Sequence, residues 1–193
     1  MKMTAAEVNN EISLLTKKGL QMKMTAAQVN DYILSTIPIF KTAGCHVEAV
    51  VDDPLAGGCI TVRQPYNEGT LRAGGSISGP TMMALADTAM YALILASLGP
   101  IGLAVTQNLN INFLRRPKPV DLVADAKLIK LGRTLALCEV LMYSDGGESG
   151  DLDRPVAQAV VTYSMALLQP DPTATAAATD TTATSETTAE PET

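Results

Sequence analysis

The sequence predicts an α+β protein in which a curled antiparallel sheet wraps one long apolar helix. Three observations carry that expectation. Residues 79–98 contain no Lys, Arg, Glu or His and one charge, Asp87, and lie between Gly79-Pro80 and Gly99-Pro100. Pro suits the first turn of a helix and Gly its end. Four segments that follow alternate along the chain with period 2, as half-buried strands do. Among their links are turns as short as Leu131-Gly132-Arg133 and Asp145-Gly146-Gly147, which imply antiparallel neighbours. A helix apolar all round must be covered on every side, and a single sheet does so by curling around it.

Each element can be justified in order. A first helix is expected over 25–37, with Thr25 as N-cap and Gln28 at the capping-box spacing; Val29, Tyr32, Ile33 and Ile37 then fall on one face. Residues 22–30 repeat residues 1–9 with one change, Gln28 for Glu7. One nine-residue duplication does not make a repeat architecture, so residues 1–21 are expected to be a dispensable extension of a domain spanning 22–169. Strands follow at 47–51 and 58–63, then a Gly-rich loop from Asn67 to Gly75 and the long helix. Further strands are expected at 103–113, 122–128, 134–143 and 156–168. In the first of these, Val105, Gln107, Leu109, Ile111 and Phe113 alternate with a polar face of Thr106, Asn108, Asn110 and Asn112. In the last, Ala157, Ala159, Val161, Tyr163 and Met165 share a face. From Pro170 onward the chain is almost entirely Thr, Ala, Asp, Glu and Pro, a composition that cannot offset its ordering entropy, and a disordered tail is expected there.

Charge and composition exclude several functions. The net charge is -6, but Asp171, Asp180, Glu186, Glu190 and Glu192 lie in the tail, leaving 15 of the 20 acids against 14 bases in the rest. With no basic stripe, no Trp and two Phe, a nucleic-acid partner has no support. The long apolar helix is long enough to span a bilayer, yet a carboxylate at mid-span is costly in lipid, and no membrane partner is expected. Three well-separated cysteines and no secretory pattern suggest reduced thiols and a cytoplasmic protein. The single histidine, His46, sits in an alternating run and is expected to face solvent; no metal site can be built from histidines. No phosphate loop or dinucleotide fingerprint is present, and no cofactor is expected.

Asp87 is the residue that most suggests chemistry. Burying a lone carboxylate costs several kcal/mol unless it is paired, and strongly perturbed carboxylates gather at functional sites. A purely structural carboxylate that accepts backbone N–H bonds is the competing reading.

At this point the residues resemble a known family. Ser78-Gly79-Pro80, six residues, then Asp87-Thr88-Ala89 is similar to the signature of PaaI-like hotdog-fold thioesterases, His-Gly-Gly, six residues, Asp-x-Ala. Leu85-Ala86-Asp87-Thr88-Ala89 matches directly, and the segment ending Phe113-Leu114-Arg115-Arg116-Pro117 resembles the family's Phe-Leu-Arg-Pro strand. Leu131-Gly132-Arg133 resembles its Gly-Arg turn. The resemblance implies a hotdog fold, hydrolysis of acyl-CoA thioesters at a dimer interface, and a homodimer joined side by side, often paired again into a tetramer. It places the catalytic acid on Asp87, the N–H donor to the thioester oxygen on Gly79 and a water-placing hydroxyl on Thr106. The family's His is Ser78 here, and its second Gly is Pro80, which has no N–H. The loop Asn that polarises the carbonyl corresponds by spacing to Arg72, while Asn67 is the nearest Asn. Arg115, Arg116, Lys118, Lys130 and Arg133 are candidates for the CoA phosphates. A non-catalytic acyl-CoA binding or sensing protein is the alternative reading. A hotdog dehydratase or hydratase would pair a His with an acid near the helix, and His46 lies on an early strand instead.

Overall fold

The structure is a computed structural model that describes residues 21–37, 44–52, 58–102, 104–148, 151–165 and 169–170. The proposed 1–21 extension, save residue 21, and the tail beyond residue 170 lie outside the described residues. Helix α1 (Ala26–Thr36) opens on a complete capping box: Thr25 caps the Gln28 N–H, and the Gln28 side chain accepts from the Thr25 N–H. The second copy of the duplicated segment is therefore built into the fold. Lys23 and Met24 donate their N–H groups to the Ala96 carbonyl, and Val29, Tyr32 and Ile33 are buried.

Strands β1 (His46–Val51) and β2 (Cys59–Gln64) follow, and a small hairpin of β3 (Leu71–Arg72) and β4 (Ser76–Ile77) leads into helix α2 (Gly79–Leu98). The remaining strands are β5 (Ile101–Gly102), β6 (Val105–Phe113), β7 (Asp121–Leu131), β8 (Leu135–Asp145), β9 (Ala157–Ser164) and β10 (Gln169–Pro170). Six of them make one sheet in the order β1-β2-β7-β8-β9-β6, every neighbour antiparallel.

Small residues let the sheet close on the helix. Ala124, Ala126, Ala136, Ala157 and Ala159 point inward from β7, β8 and β9, and Ala86, Ala89, Ala92 and Ala96 lie on α2; all are fully buried. Larger residues alternate with them across the strands, as in the row Leu128, Cys138, Val161 beside the row Ala126, Val140, Ala159. Helix α2 is long and apolar enough to cross a membrane by composition, and here it forms the core of the fold. His46 is exposed, as expected.

One expectation of the alternation fails in β6. Thr106 pairs with Tyr163 and Asn108 with Thr162, so Gln107 is the extra residue of a β-bulge. Residues directly opposite share a face. Leu109, Ile111 and Phe113 face inward with Val161, Ala159 and Ala157, but the bulge moves Thr106, not Gln107, to the inner face beside Tyr163. Strand β6 is also the sheet's edge, and Val105 and Phe113 at its two ends are 48% and 52% exposed.

Candidate active site

The carboxylate of Asp87 projects from the middle of α2 toward the β6–β9 pair. It is half-buried in the single chain rather than sealed, a correction to the burial read from the apolar helix. Its Oδ1 accepts from Thr106 Oγ1 at 2.5 Å and from the Tyr163 hydroxyl at 2.7 Å. The Tyr163 hydroxyl also lies 3.2 Å from the Asp87 carbonyl oxygen. Burial pushes the Tyr163 phenol well above the usual tyrosine range, and the negative charge of Asp87 adds to the effect, so Tyr163 stays a donor. Among the described residues, no ammonium, guanidinium or imidazole contacts Asp87.

The helix start is a second centre. Ser78 is the N-cap, its Oγ accepting from the Thr81 N–H at 3.4 Å and bonding Thr81 Oγ1 at 2.8 Å. Met82 N–H reaches the Ser78 carbonyl, and Pro80 has no N–H. The Gly79 N–H is thus left as the donor without an acceptor among the described residues. A Cβ at Gly79 would sit 3.2 Å from Phe113 Cζ; the ring of the β6 end packs over the bare glycine. A cavity of about 480 Å³ opens here, lined among others by Arg72, Gly79, Met82, Phe113, Arg115 and Arg116. Gly74 and Gly75 take φ of 93° and 71° in the hairpin turn, a conformation Gly adopts without strain. The turn presents the Gly74 carbonyl to the Arg116 guanidinium, tying the β6 end to the hairpin.

The structure separates the sequence-derived candidates. Arg72, Gly79, Arg115 and Arg116 come together at the helix start, with Ser78 capping it. Asp87 and Thr106 come together two turns away. Asn67 does not join either group: its side chain accepts from the Gly69 N–H at 2.7 Å and caps a short turn, so of the two loop candidates only Arg72 lines the cavity. Lys130 and Arg133 lie at the β7–β8 turn, away from that cavity. Arg154, which sequence reading missed, lines an adjoining cavity of about 370 Å³ with Arg115, Arg116, Lys118 and Asp151. There the Lys118 ammonium is held by Glu148 and Asp151 at 2.8 and 2.7 Å, whereas Arg115 donates to a backbone carbonyl. Tyr163 was also missed. The available signal was a phenol on an otherwise apolar strand face, which needs a partner for its hydroxyl.

A curled antiparallel sheet around one long helix defines a hotdog fold, here with an acid in the helix middle and a bare glycine at its start. Residues 74–150 match the thioesterase superfamily. A provisionally assigned thioesterase from Silicibacter sp. TM1040 is 37% identical, with a TM-score of 0.65 and a match covering 79% of this chain and 97% of that one. A provisionally assigned thioesterase from Ralstonia eutropha JMP134, described as related to phenylacetic acid degradation, is 26% identical with a TM-score of 0.56, over 67% of this chain and 90% of that one. The PaaI protein of the E. coli phenylacetic acid degradation operon shares the fold at 17% identity, with a TM-score of 0.57, over 72% and 94%. The chain belongs to the thioesterase superfamily.

Proposed function

We propose that this protein hydrolyses an acyl-CoA thioester to the free acid and CoA, with Asp87 as general base or nucleophile. The observation that carries the reading is the pairing of a hydroxyl-anchored carboxylate with a free helix-start N–H on the same helix. Gly79 and Asp87 are eight residues apart, about 12 Å along the axis, too far to serve one carbonyl carbon within one chain. The exposed β6 edge supports a site shared between two chains. Antiparallel pairing of two β6 strands about a twofold axis near Leu109 sets the Thr106 end of one chain against the partner's Phe113 and the partner's Gly79. Asp87 of one chain then faces the free N–H of the other, and a homodimer carries two such sites.

In the general-base route Asp87 takes a proton from water as the water oxygen bonds to the thioester carbon. In the nucleophilic route the carboxylate itself attacks, loss of the thiolate from the adduct leaves an anhydride, and water then cleaves that anhydride to free the acid and restore Asp87. Either way the carbonyl oxygen gains charge that the Gly79 N–H receives, an interaction worth about 3 kcal/mol in the barrier. As that oxyanion collapses the C–S bond breaks and CoA leaves as a thiolate, whose thiol pKa of about 8.5 means it needs little help from an acid. Arg72, Arg115, Arg116 and Arg154 supply positive charge where CoA phosphates would lie. Ser78 holds the helix start in shape. Lys130 and Arg133 stand at the same end of the sheet as Thr106, and the dimer would carry them toward the partner's cavity. The three free cysteines fit a cytoplasmic setting.

The test is free-thiol release from a panel of aryl and aliphatic acyl-CoAs. Wild type should turn over. Asp87→Asn, whose amide oxygen still accepts both hydroxyls, should stay folded and lose 10²- to 10⁴-fold in kcat, the range of a general base. Tight acyl-CoA binding with no thiol release would instead favour the binding and sensing role, for which Pro80, removing one helix-start donor, is the supporting feature.

A further inference from the structure

Tyr163 is given no part in the hydrolysis above, yet it meets the catalytic candidate directly. It stands on β9 across from Thr106 on β6, is 3% exposed, and spends its hydroxyl on the Asp87 carboxylate. Thr106 donates to the same oxygen, Oδ1. Among the described residues no donor reaches Oδ2. The other strands packed on α2 bring Asp87 no charge: the inward residues are Ile60 and Val62 of β2, Leu122, Ala124, Ala126 and Leu128 of β7, and Ala136, Cys138, Val140 and Met142 of β8. The titratable groups on this inner face are thus Tyr163 and, on the next strand, the Cys138 thiol, which burial pushes up to about 12.

The carboxylate's own χ2 torsion is soft. Two donors fixed on neighbouring strands and converging on one oxygen remove that freedom, which is how a supporting shell holds a reactive group. Resting on the thioesterase reading, we propose that Tyr163 is a positioning residue that, with Thr106, pins Oδ1 and presents Oδ2 as the oxygen that meets water or the thioester carbon.

The experiment compares wild type, Tyr163→Phe, Thr106→Val and the double variant in thiol release, with the fold and oligomeric state of each checked. Tyr163→Phe should lose ten-fold or more in kcat with KM within two-fold, since the contact is to the enzyme's own acid and not to the ligand. The double variant should lose less than the product of the single losses, because both donors serve one oxygen. An independent readout is the ¹³Cζ spectrum of tyrosine-labelled protein: one of the five tyrosine signals should move in Asp87→Asn. Wild-type kcat in a folded Tyr163→Phe, or a raised KM alone, overturns the positioning role and leaves the thioesterase standing. No turnover by wild type overturns both. Should Tyr163→Phe not fold, the tyrosine spectrum decides, and an unmoved set of signals in Asp87→Asn overturns the proposal.

Discussion

Replacing Phe113 with Ala tests whether the β6 edge joins two chains. Phe113 is 52% exposed in the single chain while one side of its ring packs on Gly79. A Phe side chain buries on the order of 200 Å², so about 100 Å² of each ring awaits cover. At about 25 cal/mol per Å² that is ~2.5 kcal/mol per chain and ~5 kcal/mol per twofold dimer, an upper figure because pairing also orders the ring. The dimer dissociation constant should therefore rise by about 10³-fold, read by sedimentation velocity across a dilution series. Val51 is a matched control: it is 50% exposed at the end of β1, the opposite edge of the same sheet. Val51→Ala should leave the dissociation constant within a few-fold. Equal dimer affinity for Phe113→Ala and wild type, or a larger loss from Val51→Ala, would refute edge pairing through β6 and with it the two-chain site.

Further outcomes follow from the same geometry. Arg154→Ala should raise KM for acyl-CoA about ten-fold with little change in kcat, and the difference from wild type should shrink at high salt, as it would for a contact to phosphate. Folding stability should fall as pH rises above 9: burial lifts the Cys45 thiol from 9.0 to about 11 and the Cys138 thiol from 9.0 to about 12. Below 9 both thiols are neutral in either state; above it the unfolded chain ionises first, costing about 1.4 kcal/mol per thiol per pH unit until the folded thiol also titrates. Urea midpoints at pH 8 and 10 measure this, and Cys138→Ala should flatten the fall while lowering the pH 8 midpoint through its cavity.

Much of this was legible because local chemistry and tertiary position agree. Thr25 and Gln28 spell out a capping box that forms in full. Pro80 and Gly99 mark the first and last turns of α2, and the lone charge of Asp87 marks where the helix meets something other than apolar strands. What escaped were features set by pairing across strands. Gln107 is a polar residue where the period-2 pattern expects an apolar one, but that alone does not locate a bulge; its partners on β9 do, and they turn Thr106 inward. Tyr163 sits at a core-facing period, so nothing in its neighbours in sequence separates a packed phenol from one that anchors an acid. The loop residues were ambiguous because spacing says nothing about direction: Asn67 turns back on its own backbone, while Arg72 reaches the cavity.

The continuous hydrogen-bonded turns of α2 also govern which changes in chain length this protein can accept. Each residue inserted between Gly79 and Asp87 would rotate the carboxylate by about 100° around the helix and carry it about 1.5 Å along, off both Thr106 and Tyr163. The fully buried alanines of the helix leave no room to absorb the turn elsewhere. A deletion does the same in the opposite sense. Insertions at the exposed turn around Gly146 and Gly147 leave the register of α2 untouched, so length variation among functional relatives should collect there and be absent from the seven residues between the two centres.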